Sequence, residues 1–451
     1  MRPCRPLPLA PASALVAAFM LAASAPAALG AQDAPPRASF DSAWAAVSRS
    51  YWDTSFVAGP WRAVHDSLRA TLAPDADAPA VRAAIRALIA VPRQSHFVLL
   101  PALAVPTAGA SAAAGEPGSA RLELRAIGDE IVVWRVEADG PAARADLRAG
   151  DVVLVADTLD VDEARATLRD AMVAERAAEG AAAEPVDAAA RLGRLLVPLV
   201  TARLAGPAGA AVRLTVARDG AVLERTVTRA PLMGLRTQYG NLPPFAVRVS
   251  SRRVRDIAIV RFNAWFPVAT PALDSALFAA RDARGLVIDL RGNPGGVVGM
   301  IAGVAGHLLD SVVALGEMRA RGSTLRFSAN PRVVDAAGAA RGTFRGPVAV
   351  LVDAGSASTS EFFASGLQAI GRARVFGERS AGQALAALAA RLPSGDVLMH
   401  VIADHRDPAG RAVEGRGVVP DEFHPLRRED LRAGVDAPLE AALAWIARTA
   451  P

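Results

Sequence analysis

No lysine occurs anywhere in this 451-residue chain, so all 50 of its basic residues are arginine. An amine general base is therefore excluded, and arginine does not replace it, because a guanidinium stays protonated in proteins. Cysteine is nearly as scarce: Cys4 is the only one. If the segment carrying it is removed, the remaining chain has no disulfide, no thiolate nucleophile and no cysteine-ligated metal. Arginines are scattered rather than clustered and the formal charge is only +5, which gives no basic stripe for a nucleic acid. The longest apolar stretch near the start, Ala14–Ser24, is too short for a typical membrane span.

What is present at the N-terminus has the layout of an export signal. Arg2 and Arg5 precede the apolar run, and small residues follow it, with cleavage expected after Gly30 or Ala31. The alternative is a retained anchor, which would be the one route to a membrane. Residues 1–30 are thus read as a signal peptide and the mature protein as secreted or periplasmic.

Periodicity divides the rest. Phe40, Trp44, Val47 and Tyr51 lie on one helical face, and "VRAAIRALIA" at 81–90 repeats the pattern, so residues 31–100 read as a helical segment. Residues 101–118 are rich in Pro, Gly, Ala and Ser and read as a linker. Short strand-like runs then lead into "EADGPAARADLRAGDVVLVAD". Residues 210–229 form a hairpin pattern with Asp219-Gly220 at its turn. A helical stretch over about 161–204 lies between them. From about 240, buried strand patterns alternate with helices, which argues for an α/β layer with covered faces.

Two strand–loop–helix junctions in this last region carry candidate chemistry. "IDLRGNPGG" (288–296) follows a buried strand and precedes a helix, where backbone amides are able to face a developing negative charge. Asn-Pro-Gly-Gly is equally good turn chemistry. "GSASTSE" (355–361) follows the buried strand "VAVLV". Ser358-x-x-Glu361 has the spacing of a helix capping box, and Ser358 is also placed as a nucleophile would be. A serine nucleophile needs a base. Six histidines remain once lysine is excluded. His65 reads as a surface residue among Ala and Arg, and His307 as a core residue. His400, His405 and His424 lie in late segments without a motif. His96 stands apart in "VPRQSHFVLLP". No metal-ligand cluster or cofactor loop is visible, and the glycines at 292–296 lack the Lys-Ser/Thr of a phosphate-binding loop.

Taken in order, "GLVIDLRGNPGG", "GPVAVLVDAGSASTSEFFASGLQAIGRARVFGERSAGQ" and "GRAVEGRGVVPD" resemble the C-terminal processing, or tail-specific, serine peptidases. The resemblance implies a multidomain α/β (α+β) architecture, with a crotonase-like catalytic core at 233–451 behind the helical segment. It also implies a PDZ-like domain with a helical insertion at 119–232, from which this chain departs by Asp146 where Gly is usual. Ser358 becomes the nucleophile, with Gly295, Gly296 and the Thr359 amide as oxyanion hole. In the Ser–Lys branch a lysine stands where this chain has Gln383, which is no base. The Ser95-His96 pair resembles the tricorn-like branch instead. That branch implies His96 as base, Ser95 as supporting hydroxyl and Glu414 as the late carboxylate, with Glu361 and Asp289 as rivals. The implied function is a serine endopeptidase acting on protein or peptide substrates without a cofactor. The alternative is an inactive peptide- or ligand-binding protein on the same fold.

Overall fold

The computed structural model describes residues 36–102, 116–178, 188–238, 245–335 and 337–450. The segment read as a signal peptide and most of the one read as a linker lie outside them. Among the described residues no helix is long and apolar enough to cross a membrane.

The chain divides into two compact units. The first contains the described residues up to Leu232, from the strand Pro117–Ser119 onward, together with the later segment Leu426–Asp436. The run 233–451 is therefore interrupted, because Leu426–Asp436 packs with the first unit. Pro117–Ser119 pairs with Ala205–Pro207 and Ala230–Pro231, so the end of the stretch read as linker is a strand.

The first unit is built on an antiparallel sheet ordered Leu122–Ile127, Glu130–Val136, Val152–Ala156, Ala211–Arg218, Ala221–Thr228. Period-two alternation sorts its side chains. Ile131 and Val133 face the helices Val161–Ala178 and Ala188–Leu204, against Leu168, Leu196 and Val200. Val132, Trp134 and Val152 face the other way, where Leu426 and Leu431 cover them. Asp219 and Gly220 at the hairpin turn both have positive φ, 52° and 81°, as a tight two-residue turn requires. Asp146 sits at φ 56°, a left-handed conformation that explains why glycine suits the position. The aspartate is held there by Arg225, Arg218 and Arg148, whose hydrogen bonds also keep its carboxyl below the usual range.

The second unit holds a six-stranded sheet ordered Val249–Val254, Ile257–Phe262, Gly285–Asp289, Val348–Val352, Arg374–Gly377, Glu422–Phe423. All its pairings are parallel except the first. Both faces are covered, which is why these strands read as unbroken apolar runs. Leu286, Ile288, Val348 and Val350 face a core with Leu273, Leu277, Phe362 and Phe363. Val287, Ala349 and Leu351 face the closing helix Ala437–Thr449 through Leu439, Leu443 and Ile446.

A second sheet joins Val98–Leu100, Val397–Arg406, Val313–Ala320 and Ser323–Ala329, with Ala386–Arg391 also on Val397–Arg406. The N-terminal helices Pro36–Ser50 and Ala78–Ala90 bury Phe40, Val47, Ile85 and Leu88 against Leu99, Leu398 and Val401 of this sheet.

Candidate active site

Gly285–Asp289 and Val348–Val352 are adjacent and parallel, so the loops leaving their C-terminal ends lie side by side. That is where open parallel sheets place their ligands. Asn293, fully buried, joins the two loops: its carbonyl accepts from the Ala357 amide at 3.1 Å and from Ser360 Oγ at 3.0 Å. Asp353 Oδ1 accepts from the amides of Gly292 (2.8 Å) and Gly355 (2.9 Å). The two junctions are one bonded structure.

The three serines of the second loop then separate by what their hydroxyls do. Ser356 donates to the Leu290 carbonyl at 2.8 Å and Ser360 to that of Asn293. Ser358 lines a cleft of about 290 Å³, counted to its open mouth, with Thr359, Val298, Phe362, Leu385 and Ile402. Ser358 heads the helix Thr359–Ala369 with φ 53° and ψ −119°. A non-glycine residue in this region carries about 1–3 kcal/mol of strain, and such strain clusters at functional sites. Half of the capping box anticipated from the spacing is formed plainly: the Ser358 amide donates to Glu361 Oε2 at 3.0 Å.

The glycine loop presses against this turn. Gly295 has φ 102°, and a Cβ there would lie 2.7 Å from Ser358 Cβ. Gly296 has φ 149°, and a Cβ there would lie 2.2 Å from the Trp265 carbonyl oxygen. The Gly295 amide donates to Asn293 Oδ1 at 3.0 Å, and Thr359 Oγ1 donates to the Gly296 carbonyl at 2.7 Å.

Ser95, His96 and Glu414 come together although Glu414 lies far along the chain. Strand Val98–Leu100, paired with Val397–Met399, anchors this segment, and His96 takes φ 67° just before it. Glu414 Oε1 accepts from the Ser95 amide at 2.7 Å, and Oε2 accepts from Ser95 Oγ at 3.0 Å. Ser95 Oγ and His96 Nδ1 are 2.5 Å apart. His96 Nε2 is buried and has no hydrogen-bond partner among the described residues. Burial pushes the His96 imidazole down to about 3 and pushes the Glu414 carboxyl up.

One loop connects this trio to Ser358. The Ser358 amide also donates to the Gln383 carbonyl at 2.9 Å, and the next residue, Ala384, donates its amide to Glu414 Oε2 at 2.7 Å. Gln383 thus stands beside the serine, contributing its main chain.

The other candidates are accounted for. Asp289 is engaged by Arg291, whose Nε and Nη2 each donate to it at 2.9 Å. Glu361 is buried behind the helix start and accepts from four donors. His307 is a core residue bonded to Asp274 at 3.0 Å, as read from the sequence. His65 is not on the surface: it is buried, stacked on Trp44 (4.5 Å) and Phe40 (5.4 Å). His400 and His405 are buried in strand Val397–Arg406, the first within 3.1 Å of Ser50 Oγ and the second stacked on Phe362 at 3.7 Å. Sequence reading missed the amides of Gly382, Gln383 and Ala384, since main-chain donors carry no residue signature.

The family model described as peptidase family S41 matches residues 256–423, the span that holds both junctions and Glu414. The carboxyl-terminal-processing protease of Synechocystis sp. is 27% identical over 248 residues, covering 54% of this chain and 55% of that protein. The chloroplastic C-terminal processing peptidase of Tetradesmus obliquus is 28% identical over 403 residues, 85% of this chain and 76% of that one. Among solved structures, the photosystem II D1 C-terminal processing protease superposes with a TM-score of 0.56 at 23% identity, over 90% of this chain and 99% of that chain. That likeness establishes a shared fold. The chain spans about half the length of the first of these relatives. By these matches the chain is similar to serine-type peptidases. Its relationships are with peptidase family S41 and the C-terminal processing proteases.

Proposed function

We propose that this chain is an exported serine endopeptidase that cleaves protein or peptide substrates through an acyl-enzyme, with Ser358 as nucleophile and His96 as base. The observation that carries this reading is the proton arrangement around Ser95. Its hydroxyl has one proton, and Glu414 Oε2 takes it. Toward His96 Nδ1 the same oxygen is then an acceptor, so the imidazole proton sits on Nδ1 and Nε2 carries the free lone pair. The low proton affinity of the buried ring keeps it neutral and available as an acceptor at neutral pH.

In the mechanism, Ser358 Oγ attacks the scissile carbonyl carbon as its proton passes to His96 Nε2. The amides of Gly296 and Thr359 hold the oxyanion, Gly295 acting as the spacer that admits Ser358, because its own amide is already bonded to Asn293. His96 returns the proton to the leaving amine, and water then attacks the ester by the same route. Ser95 and Glu414 hold the ring and its tautomer.

Residues 119–232 are read as a PDZ-like domain that captures a substrate C-terminus by strand addition. The edge strand Leu122–Ile127 is the place for it. Helix Ala188–Leu204 lies close against that strand, where a Cβ at Gly193 would be 2.5 Å from Ala126 Cβ. Admission of a peptide there requires the helix to shift.

A fluorophosphonate probe tests the enzyme reading. The wild type is expected to label and Ser358→Ala not. No labelling of wild type, or equal labelling of both, overturns it in favour of a peptide-binding protein without catalysis.

A further inference from the structure

Glu361 is fully buried, yet among the described residues no cation contacts its carboxylate. Its partners are instead four neutral donors. Oε1 accepts from Ser380 Oγ at 2.5 Å and from the Gly382 amide at 2.8 Å. Oε2 accepts from the Gln383 amide at 2.9 Å and from the Ser358 amide at 3.0 Å. The three amide donors each need an acceptor lone pair, and the Ser380 hydroxyl completes the set around the carboxyl. Burial raises its carboxyl to about 7 while the four donors pull it down. A group made costly to bury and then satisfied on every side does more than cap its helix, for which one acceptor atom suffices.

What it joins is informative. The Ser358 amide is shared between Glu361 Oε2 and the Gln383 carbonyl, and the Gln383 amide returns to the same Oε2. The next amide, Ala384, goes to Glu414. Ser380 Oγ accepts from the Val418 amide at 2.6 Å, and the Gly415 amide donates to the Gly382 carbonyl at 2.9 Å, so the same loop also holds the segment carrying Glu414. Loop 380–384 is a crossbar between two carboxylates, the buried Glu361 behind the serine and the half-buried Glu414 behind the histidine.

We infer that Glu361 is a positioning residue for the proposed acyl transfer: its carboxylate locks the strained Ser358 turn to loop 380–384 and so sets the serine in register with the Ser95–His96–Glu414 trio. The inference rests on the reading of Ser358 as nucleophile. Its role is to orient, so its loss lowers the rate of attack and leaves substrate binding intact.

The test uses the full chain carrying Glu361→Gln or Ser380→Ala, followed by peptidase kinetics, fluorophosphonate labelling rate, circular dichroism and amide hydrogen exchange of residues 380–384. Glu361→Gln keeps the shape but replaces one acceptor by a donor. Expected are a ~10–100-fold fall in kcat and labelling rate, KM within about twofold, wild-type circular dichroism and faster exchange at 382–384. Ser380→Ala removes one donor of four, and a fall of about two- to fivefold with the same unchanged KM is expected. Wild-type kcat, labelling and exchange in a folded Glu361→Gln overturn the inference. If that variant does not fold, the same result in Ser380→Ala overturns it. Failure of the wild type to label defeats the nucleophile reading instead, and the exchange data still decide whether Glu361 holds the loop.

Discussion

Glu414 grips Ser95 twice, one carboxylate oxygen on its amide at 2.7 Å and the other on its hydroxyl at 3.0 Å. In the proposed mechanism this grip commits the hydroxyl as donor before it meets His96 and leaves Nε2 as the bare ring nitrogen. Ser95→Ala is expected to lower kcat by ~10–100-fold, the usual cost of losing a partner that orients a catalytic imidazole, with KM nearly unchanged. Steady-state kinetics on a peptide substrate check this. An unchanged kcat would remove Ser95 and Glu414 from the proposed machinery together.

Gln383 contributes through its main chain, its amide to Glu361 and its carbonyl to the Ser358 amide. Its side chain is therefore dispensable. Gln383→Ala is expected to stay within about threefold of wild-type kcat/KM, the range of ordinary substitutions that break no specific contact. A loss of a hundredfold would mean that the carboxamide itself acts in the reaction.

The glycine loop should be intolerant of a single methyl group. A Cβ at Gly296 would sit 2.2 Å from the Trp265 carbonyl oxygen, main chain that has no means to swing aside. At Gly295 the added atom would meet Ser358 Cβ at 2.7 Å and the Ala357 carbonyl oxygen at 2.9 Å. Gly295→Ala and Gly296→Ala are each expected to lose ~2 kcal/mol or more of stability and most labelling of Ser358. Urea denaturation alongside probe labelling measures both.

Asp289 and Arg291 are each 1% exposed and face each other. Their task is structural. Asp289→Ala takes two hydrogen bonds and the paired charge from a buried guanidinium and is expected to cost ~3–5 kcal/mol. The fraction that remains folded should turn over at the wild-type rate. A folded variant with kcat reduced a hundredfold would return Asp289 to the list of catalytic carboxylates.

His405 links stability to pH. Burial lowers its imidazole from 6.5 to about 3. Between these values the unfolded chain binds a proton there and the folded chain does not. Its contribution to stability is therefore lost as pH falls below 6.5 and continues to fall toward about 3. Melting temperatures at pH 7 and pH 5 should differ less in His405→Gln than in wild type. An equal or larger difference in the variant would place the proton elsewhere.

How far the sequence could be read depended on where each piece of information resides. The buried parallel strands were plain, because Leu286–Ile288 and Val348–Val352 are apolar on both faces. The two loops stood out at the strand ends as well, though turn chemistry and helix capping explained their residues equally well, and only their order along the chain pointed to a site. His65 was misjudged as exposed. Its neighbours are Ala and Arg, but it shares a helical stripe with Trp61, Leu68 and Leu72 at i−4, i+3 and i+7, which marks the inward face. The pairing of Val98–Leu100 with Val397–Met399 was invisible, since no local pattern names a partner that distant. The crossbar at 380–384 was invisible for a different reason: its work is done by peptide groups that every residue possesses.

The excursion of Leu426–Asp436 into the first unit has a practical consequence. Leu426 and Leu431 cover Val132, Trp134 and Val152, Arg428 donates to the Gly150 carbonyl at 3.0 Å, and Arg135 reaches Asp436 at 3.2 Å. A recombinant fragment ending at Leu232 would present a bare tryptophan-centred face to solvent and invite self-association. Trimming the C-terminus before residue 426 would do the same. Dissection of this protein therefore calls for a fused fragment in which the eleven-residue return strap is spliced back onto the sheet, rather than for a cut between domains.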